Sequence, residues 1–434
     1  MNAWLAIGIF FGAYVLIATE KIHKTIVAVT GASLMIMLGL VSFEQATESV
    51  DLNVIFLLVG MMTSVHILSK TGFFEWTAIS VAKYAKGDPL KILVLLLTVT
   101  AVLSAFLDNV TTIVLLAPVT ILIMQLLELS PVPVLILEAL ASNIGGTGTL
   151  IGDPPNIVIG SQARLSFVDF LVHLGPIVLI IFAVFVLTVV MLFSRRMSVS
   201  ETIKARVNDA IPHLAIVDRK NMIRSLSVFA LMFLGFFCHS VIHVEAGVIS
   251  LLGGMVMMIV CHSESDETLM TVEWGVIFFF IGMFMMIAGL EANGVISWIG
   301  HALIKAAGHD LFMICLIILW GSAVFSSIFD NIPFVIVMIP LIEQIAEHFS
   351  GPVVLGAASQ VQGNTAQPLW WALALGACLG GNGTIIGASA NIVMSRISER
   401  NKHPVSFFAF FRYGFPFMVQ TMIIATVYLW LRYF

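Results

Sequence analysis

The sequence predicts an all-α polytopic membrane protein of about ten transmembrane helices. These form two inverted-topology repeats, each with a re-entrant hairpin and a broken helix. Three observations predict this. The 434 residues are 59% hydrophobic and only 10% charged, with a mean hydropathy of +1.06. A soluble chain carries about 25% charged residues. A glycine-rich interruption of an apolar run occurs twice, and the order of apolar segments repeats along the chain.

The first interruption runs from Asn143 to Asn156 and holds Gly145, Gly146, Gly148, Gly152, Pro154 and Pro155. The prolines cannot donate backbone hydrogen bonds, and the glycines ease unusual backbone angles. Irregular backbone at membrane depth must line a cavity enclosed by protein. The second runs from Cys378 to Asn391. There Gly145, Gly146, Gly148, Thr149, Gly152 and Asn156 return as Gly380, Gly381, Gly383, Thr384, Gly387 and Asn391. Paired interruptions in corresponding halves point to a transporter binding site.

In chain order, residues 3–19, 25–41 and 54–69 are apolar spans. No positive leader or cleavage site precedes Lys21, so the first span is read as retained. Phe74 to Lys86 is amphipathic and is expected at the interface. Residues 92–128 hold Asp108-Asn109 amid apolar sequence. The arms on either side, about 15 residues each, are short of the roughly 20 needed to cross, so a re-entrant hairpin is expected. Residues 133–162 form the broken helix and 171–194 a further span, which completes repeat 1–194. Residues 195–224, with Arg195, Arg196, Lys204, Arg206, Arg219, Lys220 and Arg224, read as a linker.

The second repeat, 225–434, follows the same order. Spans are expected at 225–242, 246–262 and 274–292, and an interfacial segment near 296–308. A hairpin at 312–345 has Asp330-Asn331 at its tip, followed by a broken helix at 369–395 and a span at 413–432. Val54-Ile55-Phe56, Trp76, Asp108-Asn109 and Pro118 return 222 residues later as Val276-Ile277-Phe278, Trp298, Asp330-Asn331 and Pro340. Such self-similarity marks a duplicated unit. Five crossings per repeat is odd, so the second repeat is inverted. With the linker cytoplasmic, segments 20–24, 70–91, 195–224 and 396–412 hold 17 of the 20 lysines and arginines, as the positive-inside rule requires. Both termini then lie outside.

Inversion brings two hairpin tips and two breaks together. Asn109, Thr111, Asn143, Gly146, Thr147, Thr149 and Asn156 from one repeat form the expected substrate site. Asn331, Gly381, Asn382, Thr384, Ser389 and Asn391 complete it from the other. The alternative is that these groups satisfy broken backbone. Asp108, Asp153 and Asp330 are carboxylates at membrane depth, which are costly and point to function. They are candidates for substrate binding and proton coupling; the alternative for Asp108 and Asp330 is capping. Glu138 is a further proton-coupling candidate, with a structural role equally open. His66 reads as core. The four cysteines lack metal-ligand or disulfide spacing, no basic patch suggests nucleic acid, and no cofactor or enzymatic chemistry is indicated.

The segments Asp108-Asn109-Val110-Thr111-Thr112 and Asn143 to Asn156 resemble those of the ion transporter superfamily. The similarity is to the branch of arsenical pump membrane proteins, D-type sodium/proton antiporters and the pigmentation-associated P protein. The resemblance spans nearly the whole chain and implies inverted repeats and an elevator or rocking cycle. The dicarboxylate branch carries Ser-Asn-Thr at both tips, where this chain has Asp108-Asn109-Val110 and Asp330-Asn331-Ile332. A carboxylate there would repel citrate or succinate.

The expected function is therefore secondary active transport, first as proton-coupled efflux of arsenite or antimonite, and alternatively as Na⁺/H⁺ antiport. The expected location is a bacterial inner membrane. A soluble ATPase docking on 195–224 is a third possibility. It would be a separate polypeptide, because this chain lacks GxxxxGK[ST].

Overall fold

The computed structural model describes residues 2–19, 21–195, 197, 199–208, 211–307, 310–350 and 367–434. The first repeat opens with α1 (Asn2–Ala18), α2 (Lys24–Met37), the short α3 (Phe43–Glu48), α4 (Leu52–Ser69) and α5 (Phe73–Tyr84). The hairpin arms α6 (Pro89–Phe106) and α7 (Asn109–Leu126) come next, then the broken pair α8 (Pro131–Gly146) and α9 (Pro154–Gln162). Short α10 (Phe167–His173) and α11 (Gly175–Phe193) close it. After α12 (Glu201–Asn208) the second repeat begins with α13 (Arg219–Ile242), α14 (Ala246–Val260), α15 (Ser265–Met270), α16 (Trp274–Ala292) and α17 (Val295–Ala307). Its hairpin is α18 (Leu311–Ile328) and α19 (Asn331–Ser350), its broken pair is α20 (Gln367–Gly380) and α21 (Ser389–Arg400), and α22 (Phe407–Tyr433) ends the chain.

Among the described residues, eight helices are long and apolar enough to cross a bilayer: α4, α6, α7, α11, α13, α16, α18 and α22. Several shorter apolar helices accompany them. The chain is an integral membrane protein.

Local sequence explains the helix ends. Asp88 accepts from the backbone N–H groups of Leu90 and Lys91 at 3.1 Å each, and Pro89 follows at the first helical position of α6. Its counterpart Asp310 caps α18 in the same way, through Phe312 N and Met313 N. An aspartate cap satisfies amides the helix cannot, and proline there loses no bond. Gly72 and Gly294 take φ of +80° and +71° before α5 and α17, a region that favours glycine.

The duplication is visible in packing. α4 packs on α14, and reciprocally α2 packs on α16. At the first crossing a Cβ on Gly60 would lie 2.2 Å from the Ser250 carbonyl carbon. At the second a Cβ on Gly282 would lie 2.7 Å from that of Ala28. α7 packs on α21 and α19 on α9, while α6 packs on α8 and α18 on α20. Each relationship appears twice with the repeats exchanged, as a two-fold pseudo-axis demands. The two repeats are interlocked rather than side by side.

Three expectations are corrected. The hairpin arms are 18 residues each in α6 and α7, about 27 Å at 1.5 Å per residue. Arm length therefore does not set the hairpin apart from a pair of spans; what distinguishes it is that its tip contacts the breaks. The second span stops at Met37, three residues after Leu34, and the chain then turns at Gly39. The short helices α3 and α15 are duplicated elements that apolar periodicity missed, because they are polar; α3 is set by a Ser42–Gln45 capping box. Described parts of the 195–224 linker lie on the first repeat: Val217 N donates to Thr71 O at 2.9 Å, and α12 lies against α5 and α7.

Candidate functional site

The glycines of the breaks serve close approach. None of them has positive φ, which corrects the expectation of unusual angles. A Cβ on Gly145 would sit 2.1 Å from Ala101 O, and one on Gly380 would sit 2.5 Å from Ala323 Cα, so each break is pressed against a hairpin arm. Thr149 Oγ1 donates to Ala105 O and Thr384 Oγ1 to Ser327 O, both at 2.5 Å. These bonds fix the breaks beside the hairpin tips.

The amides knit the breaks together. Asn156 Nδ2 donates to the carbonyls of Thr147 and Thr149 at 3.1 and 2.9 Å. Asn391 Nδ2 does the same for Gly381 and Thr384 at 2.8 and 3.0 Å. Each amide closes its break by satisfying carbonyls the helix leaves free. Asn143 sits at the centre. It accepts from Asn109 Nδ2 at 3.1 Å and donates to Asn382 Oδ1 at 2.9 Å and Asn391 Oδ1 at 3.1 Å. Thr147 Oγ1 bonds Asn143 O within its own helix. The first hairpin tip and both breaks therefore meet at one level, as the inverted arrangement requires.

In front of this network lies a cavity of about 470 Å³, lined by Asp108, Asn109, Thr111, Asp153, Asp330, Asn331 and Ser389 together with Tyr14, His23, Lys24, Glu273 and Arg396. The three aspartates are used differently. Asp108 caps α7, accepting from Thr111 N at 2.8 Å and Thr111 Oγ1 at 2.5 Å. Asp330 pairs with Lys24, whose Nζ is 2.8 Å from Oδ2, and accepts from Ser389 Oγ at 3.1 Å. Asp153 occupies the N-cap position of α9 without making a side-chain cap. It is 1% exposed, and neither of its oxygens makes a well-formed hydrogen bond, although Cys378 and Asn331 lie close to it. Its position places it at the positive end of α9. Asp330 Oδ1, Asn331 Nδ2 and Tyr14 Oη are likewise buried and unpartnered.

An acid-lined cavity beside two interrupted helices is the arrangement expected of a transporter, and comparison with known proteins agrees. Residues 14–376 match the citrate transporter (CitMHS) family. The chain belongs to that family. It is 41% identical over 438 residues to an uncharacterized transporter of Mycobacterium tuberculosis (strain ATCC 25618 / H37Rv), covering 99% of this chain and 98% of the relative. A 46 kDa membrane protein of Mycobacterium leprae is 40% identical over 434 residues, covering 99% and 98%. The P protein of Homo sapiens is 32% identical over 507 residues, covering 98% of this chain and 59% of that protein. This citrate transporter family member is a membrane transporter and not an enzyme.

Not every predicted residue reaches the cavity. Glu138 is fully buried between α6, α7 and α8, where its Oε1 accepts from Thr120 at 2.9 Å and Thr100 at 3.2 Å. It does not line the cavity. Asn143, Gly146, Thr147, Thr149 and Asn156 lie behind the cavity wall, as do Gly381, Asn382, Thr384 and Asn391. Conversely, the sequence reading missed Lys24, Glu273, Tyr14, His23 and Arg396. Lys24 and Arg396 were counted among cytoplasmic basic residues. Their approach to residues hundreds of positions away leaves no local signal. The counterpart of Lys24 in the repeat is Ala246, so duplication did not flag it either.

Proposed function

We propose that this transporter is a secondary active carrier whose acid-lined cavity binds protons or a small cation and exchanges one for the other. The observation that carries this reading is Asp153, a buried carboxylate with no well-formed hydrogen bond and no cation beside it among the described residues, facing the same cavity as Asp108 and Asp330. An uncompensated buried charge is costly; a proton or cation on Asp153 removes that cost. Four carboxylates (Asp108, Asp153, Asp330, Glu273) face two basic side chains (Lys24, Arg396), a balance that attracts cations and repels carboxylate anions.

Efflux of arsenite or antimonite is the second reading. Cys378, a thiol close to Asp153 and 3.4 Å from Asn156 Oδ1, favours it. Against it, the amides expected to hold a neutral trihydroxide bond each other and the broken backbone. Citrate, which the family's description names, would need Lys24 and Arg396 to outweigh four acids.

His23, Glu273 and Arg396 line the cavity. The distribution of lysine and arginine supports placing the segments that hold Lys24 and Arg396 at the cytoplasmic side, both termini outside, and the protein in a bacterial plasma membrane.

Purified protein in liposomes containing a pH-sensitive dye tests the proposal. Proton movement on addition of Na⁺ or Li⁺, with no ATPase present, is expected. A pH change driven by arsenite and indifferent to Na⁺ would favour the second reading, and uptake of labelled citrate without either would exclude both.

A further inference from the structure

We infer that Lys24 is a specificity-determining residue: a tethered monovalent cation that occupies Asp330 and leaves Asp153 to the transported ion. The inference rests on the proposed cation-binding role of the cavity. Lys24 Nζ is held by Asp330 Oδ2 at 2.8 Å and Ser389 Oγ at 3.3 Å, and lies 5.0 Å from the Phe279 ring centroid. A carboxylate, a hydroxyl and an aromatic face are ligands suited to one ammonium group. The arrangement exists on one side of the pseudo-axis only. Where Asp330 has Lys24 and Ser389, Asp108 has Ala246 and Pro154 at the equivalent places and is served by Thr111 instead. The second repeat also has Ala388 where the first has Asp153. Duplicated positions have thus diverged together. One repeat supplies a free carboxylate, and the same repeat supplies the cation that neutralises the other tip.

With Lys24 in place, Asp153 is the one aspartate of the three that neither caps a helix nor pairs with a cation, enough for a proton or a monovalent cation. Without it, Asp330 and Asp153 would both be bare, and a hard divalent cation takes oxygen ligands of this type. Lys24→Met should therefore create Mg²⁺ binding. In thermal unfolding of the purified full chain, 10 mM Mg²⁺ is expected to raise the Tm of K24M by roughly 5 °C. Wild type, K24R and K24M/D330N should shift by less than about 1 °C by the same reasoning. A K24M protein unresponsive to Mg²⁺, or one that does not fold even with Mg²⁺ present, overturns the inference. Wild-type protein that binds neither Na⁺ nor protons would instead overturn the cation-binding reading beneath it.

A second observation is independent of Lys24. The face opposite the cavity is shut. Asn53 Nδ2 donates to Ser161 Oγ at 2.9 Å, Gln162 Nε2 to Asp51 Oδ2 at 2.6 Å, and Gly247 N to Asn53 Oδ1 at 2.7 Å. By the 222-residue offset, Asp51, Asn53 and Gly247 correspond to Glu273, Gly275 and Thr25. Ser161 corresponds to Arg396 through the offset that relates Asn156 to Asn391. Thr25 Oγ1 already donates to Gly275 O at 2.6 Å, matching the Gly247–Asn53 contact. Glu273 and Arg396 instead both line the open cavity.

The geometry points to closure of the cavity by exchange of these roles, with Arg396 drawn to Glu273 as Ser161 and Gln162 are drawn to Asn53 and Asp51. E273R and R396E, which oppose like charges on closing, should each lower flux at least tenfold. The exchange E273R/R396E should recover a third or more of it. Single variants with wild-type flux, or a double variant no better than the singles, would overturn the assignment.

Discussion

Asn143 Nδ2 donates to Asn382 Oδ1 over 2.9 Å, joining the interrupted helix of one repeat to that of the other at fully buried positions. The same Nδ2 reaches Asn391, and its Oδ1 accepts from Asn109. Asn143→Ala would leave buried amides of Asn109, Asn382 and Asn391 short of partners, at about 1–3 kcal/mol for a buried group left unpaired. The expected result is a clearly lowered Tm. Asn143→Ala/Asn382→Ala should lose less than the sum of the single losses, because the residues share a network.

The helix crossings give a steric prediction. Gly60→Ala drives a Cβ into the Ser250 backbone, and Gly282→Ala drives one into that of Ala28 with slightly more room. Backbone cannot swing aside as a side chain can. We expect losses of at least about 1–3 kcal/mol for overpacking, larger for Gly60. Gly8→Ala, with nothing within 4 Å, is the control that should purify and melt like wild type.

Much of this architecture was legible in the residues. Gly145 with Gly146 and Gly380 with Gly381 marked both breaks, and Asp108-Asn109 and Asp330-Asn331 marked both tips, because these motifs act locally on the backbone. The cavity's chemistry was less legible. Lys24 opens an apolar run and counts only as a basic residue of the segment 20–24; folding alone brings it 2.8 Å from Asp330. Asn156 and Asn391 looked like ligand groups, and their bonds to broken backbone appear only when the breaks are seen closed. Asp108 and Asp330 look equivalent in sequence, yet one caps its helix and the other pairs with a lysine.

One buried acid should tolerate neutralisation. Glu138→Gln keeps the shape and the two threonine contacts of a side chain outside the cavity. Its transport is expected to stay within about twofold of wild type, as for substitutions clear of a site. Loss of coupled flux in that variant would restore Glu138 as a proton relay.

Asp108→Asn and Asp330→Asn should abolish coupled transport while the protein still expresses. The two should differ in stability. Asp330→Asn leaves Lys24 without its carboxylate, a partly buried cation unpaired, and should melt below wild type. Asp108→Asn keeps an acceptor oxygen for Thr111 N and should fall by about 1 kcal/mol or less, within the range of a cap exchange.

The most direct measurement is proton release on cation binding, read with a pH indicator in weakly buffered detergent solution, for wild type and Asp153→Asn. If bare carboxylates at the meeting of the breaks hold the exchangeable ion, Na⁺ or Li⁺ will displace protons from wild type and none from Asp153→Asn, which remains folded. Equal release from both proteins, or none from wild type at any cation concentration, would contradict the account.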